Sequence, residues 1–332
     1  MSPAAIPAVP ELFACAGGPS CVLVAVSGGP DSMALLHLAA RWRDAGGPEV
    51  RAATVDHDLR PGSRAEADQV ALWAGALDIP HHILTWTGER PKTKLQELAR
   101  AARYRLLEGL VHELGAEVVL TGHHADDQAE TILFRLLRGS GIAGLAAMAQ
   151  VSQRSGFRLV RPLLDVPKAD LVAFCEAVGQ PYFIDPSNRD PRFARTDLKR
   201  VLALFEAEGL GPAELLRLGR RAARTEEALR ACVADLRTSL DPVVSAGLFE
   251  CAAAPLRTVP QEILLRLLEA EISRLGDGVP RLDRLERLGA EVRAAIVGGG
   301  LFAGTLAGAL LRVTRLGRLV VATAPPRKGG IS

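Results

Sequence analysis

No lysine or arginine occurs before Arg41, whereas secretory signals and organelle transit peptides both rely on a basic N-terminal region. A cytoplasmic protein is the expectation. Cysteine is sparse and scattered: Cys15, Cys21, Cys175, Cys232 and Cys251 form no C-x-x-C pair and no zinc-like spacing, which makes reduced thiols the default. A basic surplus is missing as well. Lys and Arg number 40 against 38 Asp and Glu, a formal charge of +2, so a nucleic-acid partner would have to be met by a local patch rather than by the field of the whole chain. The one apolar run long enough to suggest a membrane span is Ala294 to Leu311, uncharged between Arg293 and Arg312. Its consecutive glycines, Gly298 to Gly300, weaken a helix, and Leu311 to Thr323 reads as a β-hairpin about Leu316-Gly317. A buried β segment with no membrane contact is expected there.

What is present suits a soluble, multidomain protein. The 332 residues exceed what one core usually serves, and 48% hydrophobic with 23% charged residues is ordinary globular composition. Short apolar runs at Cys21 to Val26, Val50 to Val55, His81 to Trp86 and Glu117 to Thr121 read as strands. Between them Asp31 to Asp44, Ser63 to Leu77 and Leu95 to Leu114 carry apolar residues at three-to-four spacing. This βαβ alternation predicts an α/β domain with a doubly wound parallel sheet. Turn-forming residues cluster from Gln180 to Arg195, and Thr196 to Glu208 and Pro212 to Thr238 read as helices. Helices at Pro260 to Leu275 and Arg281 to Ile296 then lead into the glycine-rich β segment. The expected organisation is a catalytic α/β domain over 1–205, a helical linker over 206–240, a small α+β domain over 241–324 and a frayed tail over 325–332.

After the first strand come Ser27, Gly28, Gly29, Pro30, Asp31 and Ser32, and a helix begins. Glycines admit an anion close to the backbone, proline suits a first helical turn, and unpaired N–H groups at the helix start supply donors aligned with its dipole. This loop holds no G-K-[ST] and no G-x-G-x-x-G, so it is neither of the two commonest phosphate loops. S-G-G-x-D-S in this position resembles the pyrophosphate loop of the N-type ATP pyrophosphatases, enzymes that split ATP into AMP and pyrophosphate to activate a carbonyl oxygen.

Two further segments lie at carboxyl ends of predicted strands, Asp56 to Ser63 (D-H-D-L-R-P-G-S) and Thr121 to Thr131 (T-G-H-H-A-D-D-Q-A-E-T). Ligands collect at that edge of an open parallel sheet, so both should converge with the phosphate loop on one cleft. Together with Gly139 to Leu145 (G-S-G-I-A-G-L), Arg100, Arg103 and Tyr104, Arg161 to Leu164 (R-P-L-L) and Asp185 to Asn188 (D-P-S-N), these segments resemble the tRNA(Ile)-lysidine synthetase family in its short form. The likeness covers roughly Val22 to Arg200.

The resemblance implies ligation of free lysine to the wobble cytidine of a tRNA(Ile) with a CAU anticodon. ATP first adenylates the C2 oxygen of the base, and the lysine ε-amine then displaces AMP. ATP is the co-substrate, Mg²⁺ the expected ion, tRNA(Ile) and lysine the partners, and a homodimer is allowed. A lysine amine with a pKa near 10.4 is neutral in only about 1 molecule in 2500 at pH 7, so a base near the site is expected. Asp31, Asp127, Glu130 and His57 are the expected catalytic residues. Asp127 and Glu130 are three apart and share a helix face. Ser27, Gly28, Gly29, Pro30, Asp31 and Ser32 are expected to hold ATP, with Asp31 and Asp127 also on Mg²⁺. Arg60, Arg100, Arg103, Asp126 and Arg195 are expected to bind substrate, Arg100, Arg103 and Arg195 on tRNA phosphates, and His123 and His124 to contact nucleotide or substrate. Arg195-Thr196-Asp197-Leu198-Lys199 departs from the family's R-N-x-[IL]-R. Two rival functions share the loop: a tRNA 2-thiolation enzyme, which typically carries a C-x-x-C pair, and a non-catalytic ATP- and RNA-binding protein.

Overall fold

The computed structural model describes residues 6–58, 62–88, 95–184 and 194–325. Arg60 and the segment Asp185 to Asn188 lie outside the described residues, as do the tail from 326 on and the side chains of Arg195 and Lys199. The chain divides into two compact units, Met1–Ala223 and Arg224–Ser332.

The first unit opens with a short helix α1 (Val9–Phe13) and then alternates strand and helix: β1 (Cys21–Ala25), α2 (Pro30–Asp44), β2 (Glu49–Asp56), α3 (Ser63–Gly75), β3 (His81–Thr85), α4 (Leu95–Leu114), β4 (Val118–Thr121) and α5 (Ala125–Leu137). One turn, α6 (Ile142–Leu145), precedes a hairpin of β5 (Val151–Gln153) and β6 (Arg158–Val160), followed by α7 (Lys168–Ala177), α8 (Ala194–Ala207) and α9 (Pro212–Ser239). The strand order is β3-β2-β1-β4-β6-β5, parallel except at the β5 edge. The predicted strands and helices are found within a residue or two of their expected limits. The β5-β6 hairpin and α7 are additions that the periodicity did not suggest. Their strands have three residues each, too few to display alternation.

Successive strand residues point to opposite faces, and both faces are covered. Val22, Val24, Ala52, Val118 and Leu120 pack with α2 and α7 on one side. Leu23, Ala53, Val119 and Leu159 pack with Leu107, Leu110 and Val111 of α4 on the other. A third cluster joins Ile132 and Leu133 of α5 to Leu198, Val201 and Phe205 of α8 and Leu215 of α9. The chain leaves β1 toward β2 and β3 on one side, while β4 lies on its other side. That reversal is the topological switch point, and the loops after β1 and β4 meet there.

The division between the units falls within α9. The second unit forms a five-stranded antiparallel sheet from β7 (Val243–Ser245), β8 (Leu248–Ala252), β9 (Phe302–Leu306), β10 (Ala309–Val313) and β11 (Arg318–Thr323), in the order β7-β8-β11-β10-β9. Helices α10 (Gln261–Leu275) and α11 (Leu282–Gly298) bury Leu264, Leu268, Leu285 and Val292 against it. The uncharged run from Ala294 therefore ends a helix and enters a hairpin. No helix among the described residues is long and apolar enough to cross a membrane.

Candidate active site

The loop after β1 is shaped by its own hydroxyls. Ser27 N–H donates to Ser32 Oγ at 3.1 Å, Ser32 Oγ donates to the Gly29 carbonyl at 3.0 Å, and the two hydroxyls lie 3.3 Å apart. Pro30 starts α2, so the helix opens with its N–H groups facing the loop. Gly28 has φ +80°, and a Cβ there would come within 2.8 Å of Phe183 Cδ2. Phe183 N–H also donates to the Gly28 carbonyl at 2.8 Å. The turn-rich stretch beginning at Gln180 thus returns to the loop inside the first unit. Gly122, after β4, is similarly constrained: a Cβ would stand 3.0 Å from the Asp31 carbonyl. Only a bare backbone lets the β4 loop approach the start of α2 so closely.

His124 is the hub of the site. Its side chain is only 6% exposed and lies 3.5 Å from Asp31 Oδ2, 3.6 Å from Asp126 Oδ2 and 3.4 Å from Asp127 Oδ2. Burial opposes its charge, but the hydrogen bonds to Asp126 and Asp31 and the fields of Asp127 and Asp31 outweigh it, raising the pKa to about 9. The ring is an imidazolium at neutral pH. A charged ring has no lone pair on Nδ1, so the 3.4 Å approach of Asp127 N–H to that atom is not a capping bond. The α5 terminus is closed instead by Asp127 Oδ2, which accepts His124 N–H at 3.2 Å. The structure places His124 among three carboxylates, where it is a buried countercharge to them.

Asp31, Asp126 and Asp127 are therefore brought together as expected, and Glu130 follows one turn along α5. The hydrogen bond to His124 holds the Asp126 carboxyl below the usual range against burial, helped by Lys168 N–H, which donates to its Oδ2 at 2.9 Å. Lys168 is a site residue the sequence reading missed. Its Nζ lies 3.4 Å from Asp31 Oδ2. The signal available was Pro167 just before the first helical residue, a helix-start mark three residues beyond R-P-L-L.

A basic group occupies the neighbouring edge. Burial lowers the His123 pKa to about 4; Asp127 opposes the shift, and Arg161, Arg100 and Arg103 reinforce it. Arg161 is buried and donates to the Ala149 carbonyl at 2.7 Å. Arg100 and Arg154 both stand over the Tyr104 ring, at 5.3 and 4.4 Å. His57, at the end of β2, packs edge-on to Trp86, with ring centroids 5.9 Å apart. Burial and then Arg103 lower its pKa, so it is neutral at pH 7. Arg100 and Arg103 thus lie in one electrostatic neighbourhood with His57 and His123.

The PP-loop domain family matches residues 8–204. A tRNA(Ile)-lysidine synthase from Methylobacterium sp. (strain 4-46) is 49% identical over 318 residues, spanning 94% of this chain and 91% of the relative. One from Rhodopseudomonas palustris is 45% identical over 97% of this chain and 95% of its own. The chain belongs to the tRNA(Ile)-lysidine synthase family. Among solved structures, the U34-tRNA thiolase NcsA from Methanococcus maripaludis, with its 4Fe-4S cluster, is similar at a TM-score of 0.55, covering 66% of this chain and 78% of that one. At 17% identity that likeness concerns the fold alone.

Proposed function

We propose that this protein is an ATP-dependent ligase that joins free lysine to C2 of the wobble cytidine in a tRNA(Ile) with a CAU anticodon, through an adenylated cytidine, releasing AMP and pyrophosphate. The observation that carries the reading is the cluster of Asp31, Asp126 and Asp127 around His124 at the mouth of the phosphate loop, in a chain of this family. The loop N–H groups and the Ser27 and Ser32 hydroxyls suit the phosphates of ATP. Mg²⁺ fits beside them: Asp31 Oδ1 is buried with no hydrogen-bond partner among the described residues, and the Oδ2 atoms of Asp31 and Asp127 approach the same imidazole nitrogen. When bound, the ion supplies neutralisation of phosphate charge, and Mg²⁺ commonly takes one or two carboxylates plus phosphate oxygens.

The surroundings of each group support a division of roles. His124, its pKa raised by its carboxylate neighbours, holds Asp31, Asp126 and Asp127 together. Asp126 is committed to the Lys168 N–H group and to His124. Asp127 and Glu130 are then the carboxylates to receive the lysine ammonium and its proton, with neutral His57 a second acceptor. Arg100, Arg103 and Arg195 meet tRNA phosphates in this scheme, with the second unit a further tRNA contact, and Arg60 helps hold ATP or the base. A thiolation enzyme of this fold typically needs paired cysteines, and the five here are scattered.

The test mixes protein, ATP-Mg²⁺, radiolabelled lysine and a tRNA(Ile) transcript with a CAU anticodon. Label entering the tRNA with AMP release and no sulfur donor is the expected result. ATP binding without AMP favours a binding protein, and sulfur-dependent modification favours thiolation. Asp31→Ala is expected to abolish AMP release while remaining folded; normal turnover would contradict the loop assignment.

A further inference from the structure

Lys168 is the first residue of α7, and its place is set by bonds that converge on the phosphate loop. Its N–H donates to Asp126 Oδ2 at 2.9 Å, and Ala125 N–H donates to the Val166 carbonyl at 3.0 Å, tying the start of α7 to the start of α5. Two turns along α7, the Cys175 thiol donates to the Pro30 carbonyl at 3.4 Å, tying the same helix to the start of α2. The ammonium itself lies 3.4 Å from Asp31 Oδ2 and its side chain is 44% exposed. A lysine that served only to partner Asp31 would duplicate His124, whose Nε2 already lies 3.5 Å from the same oxygen. The four-carbon stem, half in solvent, gives the ammonium reach beyond Asp31 toward the loop.

We propose that Lys168 is a catalytic residue: its ammonium leaves Asp31 for the triphosphate when ATP is bound and donates a hydrogen bond to the departing pyrophosphate. This rests on the proposed adenylation. In that step the cytidine C2 oxygen forms a bond to Pα while the bond from Pα to the bridging oxygen of the leaving group breaks, and the electron pair stays on that oxygen. Lys168 keeps its proton and stabilises the charge that develops there, an interaction strongest at the transition state.

The experiment compares wild type, Lys168→Met, Lys168→Gln and Lys168→Arg for AMP release with ATP-Mg²⁺, lysine and the tRNA transcript, at varied ATP, after thermal melts of each. Removing a single oriented donor to developing charge costs about 10²- to 10³-fold in kcat. The expected result is a loss of that size in Lys168→Met and Lys168→Gln, with KM for ATP raised less than about tenfold, and at least a tenth of the wild-type rate in Lys168→Arg. Lys168→Gln retains a donor toward Asp31 and keeps the test valid if the methionine variant folds poorly. A kcat within threefold of wild type in both neutral variants, or a loss confined to KM, overturns the proposal. Wild-type protein that forms no AMP under the same conditions overturns the adenylation reading instead, so the two failures are separable.

Discussion

His123 and His124 are neighbours in the chain and titrate in opposite directions, one near 4 and the other near 9. Burial opposes protonation of both; what differs is which charges each ring meets. Arg161, Arg100 and Arg103 act on His123, while three carboxylates surround His124. Burial also governs His81 on β3. Its Nε2 lies 2.8 Å from Thr54 Oγ1, and burial, followed by His82, lowers its pKa to about 4. A depressed histidine pKa favours the neutral folded state. Its stabilising contribution is complete above about 6.5 and is lost as pH falls toward 4. The urea midpoint of wild type is expected to drop more steeply between pH 6.5 and 4.5 than that of His81→Gln; equal slopes would show that His81 does not contribute. Residue types alone displayed the acids of the site. They did not display His124 as the hub or Lys168 as a neighbour of Asp31, because both follow from contacts between segments about 40 to 140 residues apart.

In α11, Gly289 lies where a Cβ would meet Leu265 Cδ2 of α10 at 2.2 Å. Helix propensity by itself favours replacing a mid-helix glycine by up to about 1 kcal/mol. Overpacking a tight contact costs about 1–3 kcal/mol, so the contact decides the sign. Gly289→Val is expected to lower the unfolding free energy of the second unit by about 1–3 kcal/mol in urea titration, and a neutral or stabilising result would show that the two helices separate easily. This close approach is invisible in the sequence, where Gly289 reads as a weak point in an amphipathic helix. The long helices themselves were legible: α4 runs from Leu95 to Leu114 as its periodicity predicts. The strands β7 and β8 were not: β7 has only three residues, all exposed, and β8 only five, too short a run to stand out beside the Leu-rich helices.

Each of the two compact units has its own buried cluster, built on a parallel-dominated sheet in one and an antiparallel sheet in the other. The charge of the chain is close to balanced, and the cations that bear on His123 are local: Arg161, itself buried, with Arg100 and Arg103. A nucleotide that binds only the folded first unit adds to its stability by mass action, about 2.7 kcal/mol at a ligand concentration 100 times Kd. With α,β-methylene ATP and Mg²⁺, slower hydrogen exchange is expected for amides of β1, α2 and the first turn of α5. Unchanged exchange at saturating analogue would place the nucleotide elsewhere.

Composition and spacing determine the alternation of strand and helix in the first unit, the anion-binding turn after β1 and the acidic start of α5, because each is a local pattern within a dozen residues. Folding alone decides the rest. The reversal of strand order beside β1 brings the loops after β1 and β4 together, and α7 closes on both. Three carboxylates then share one buried imidazolium, a juxtaposition whose energy exists only when distant segments are packed in low dielectric.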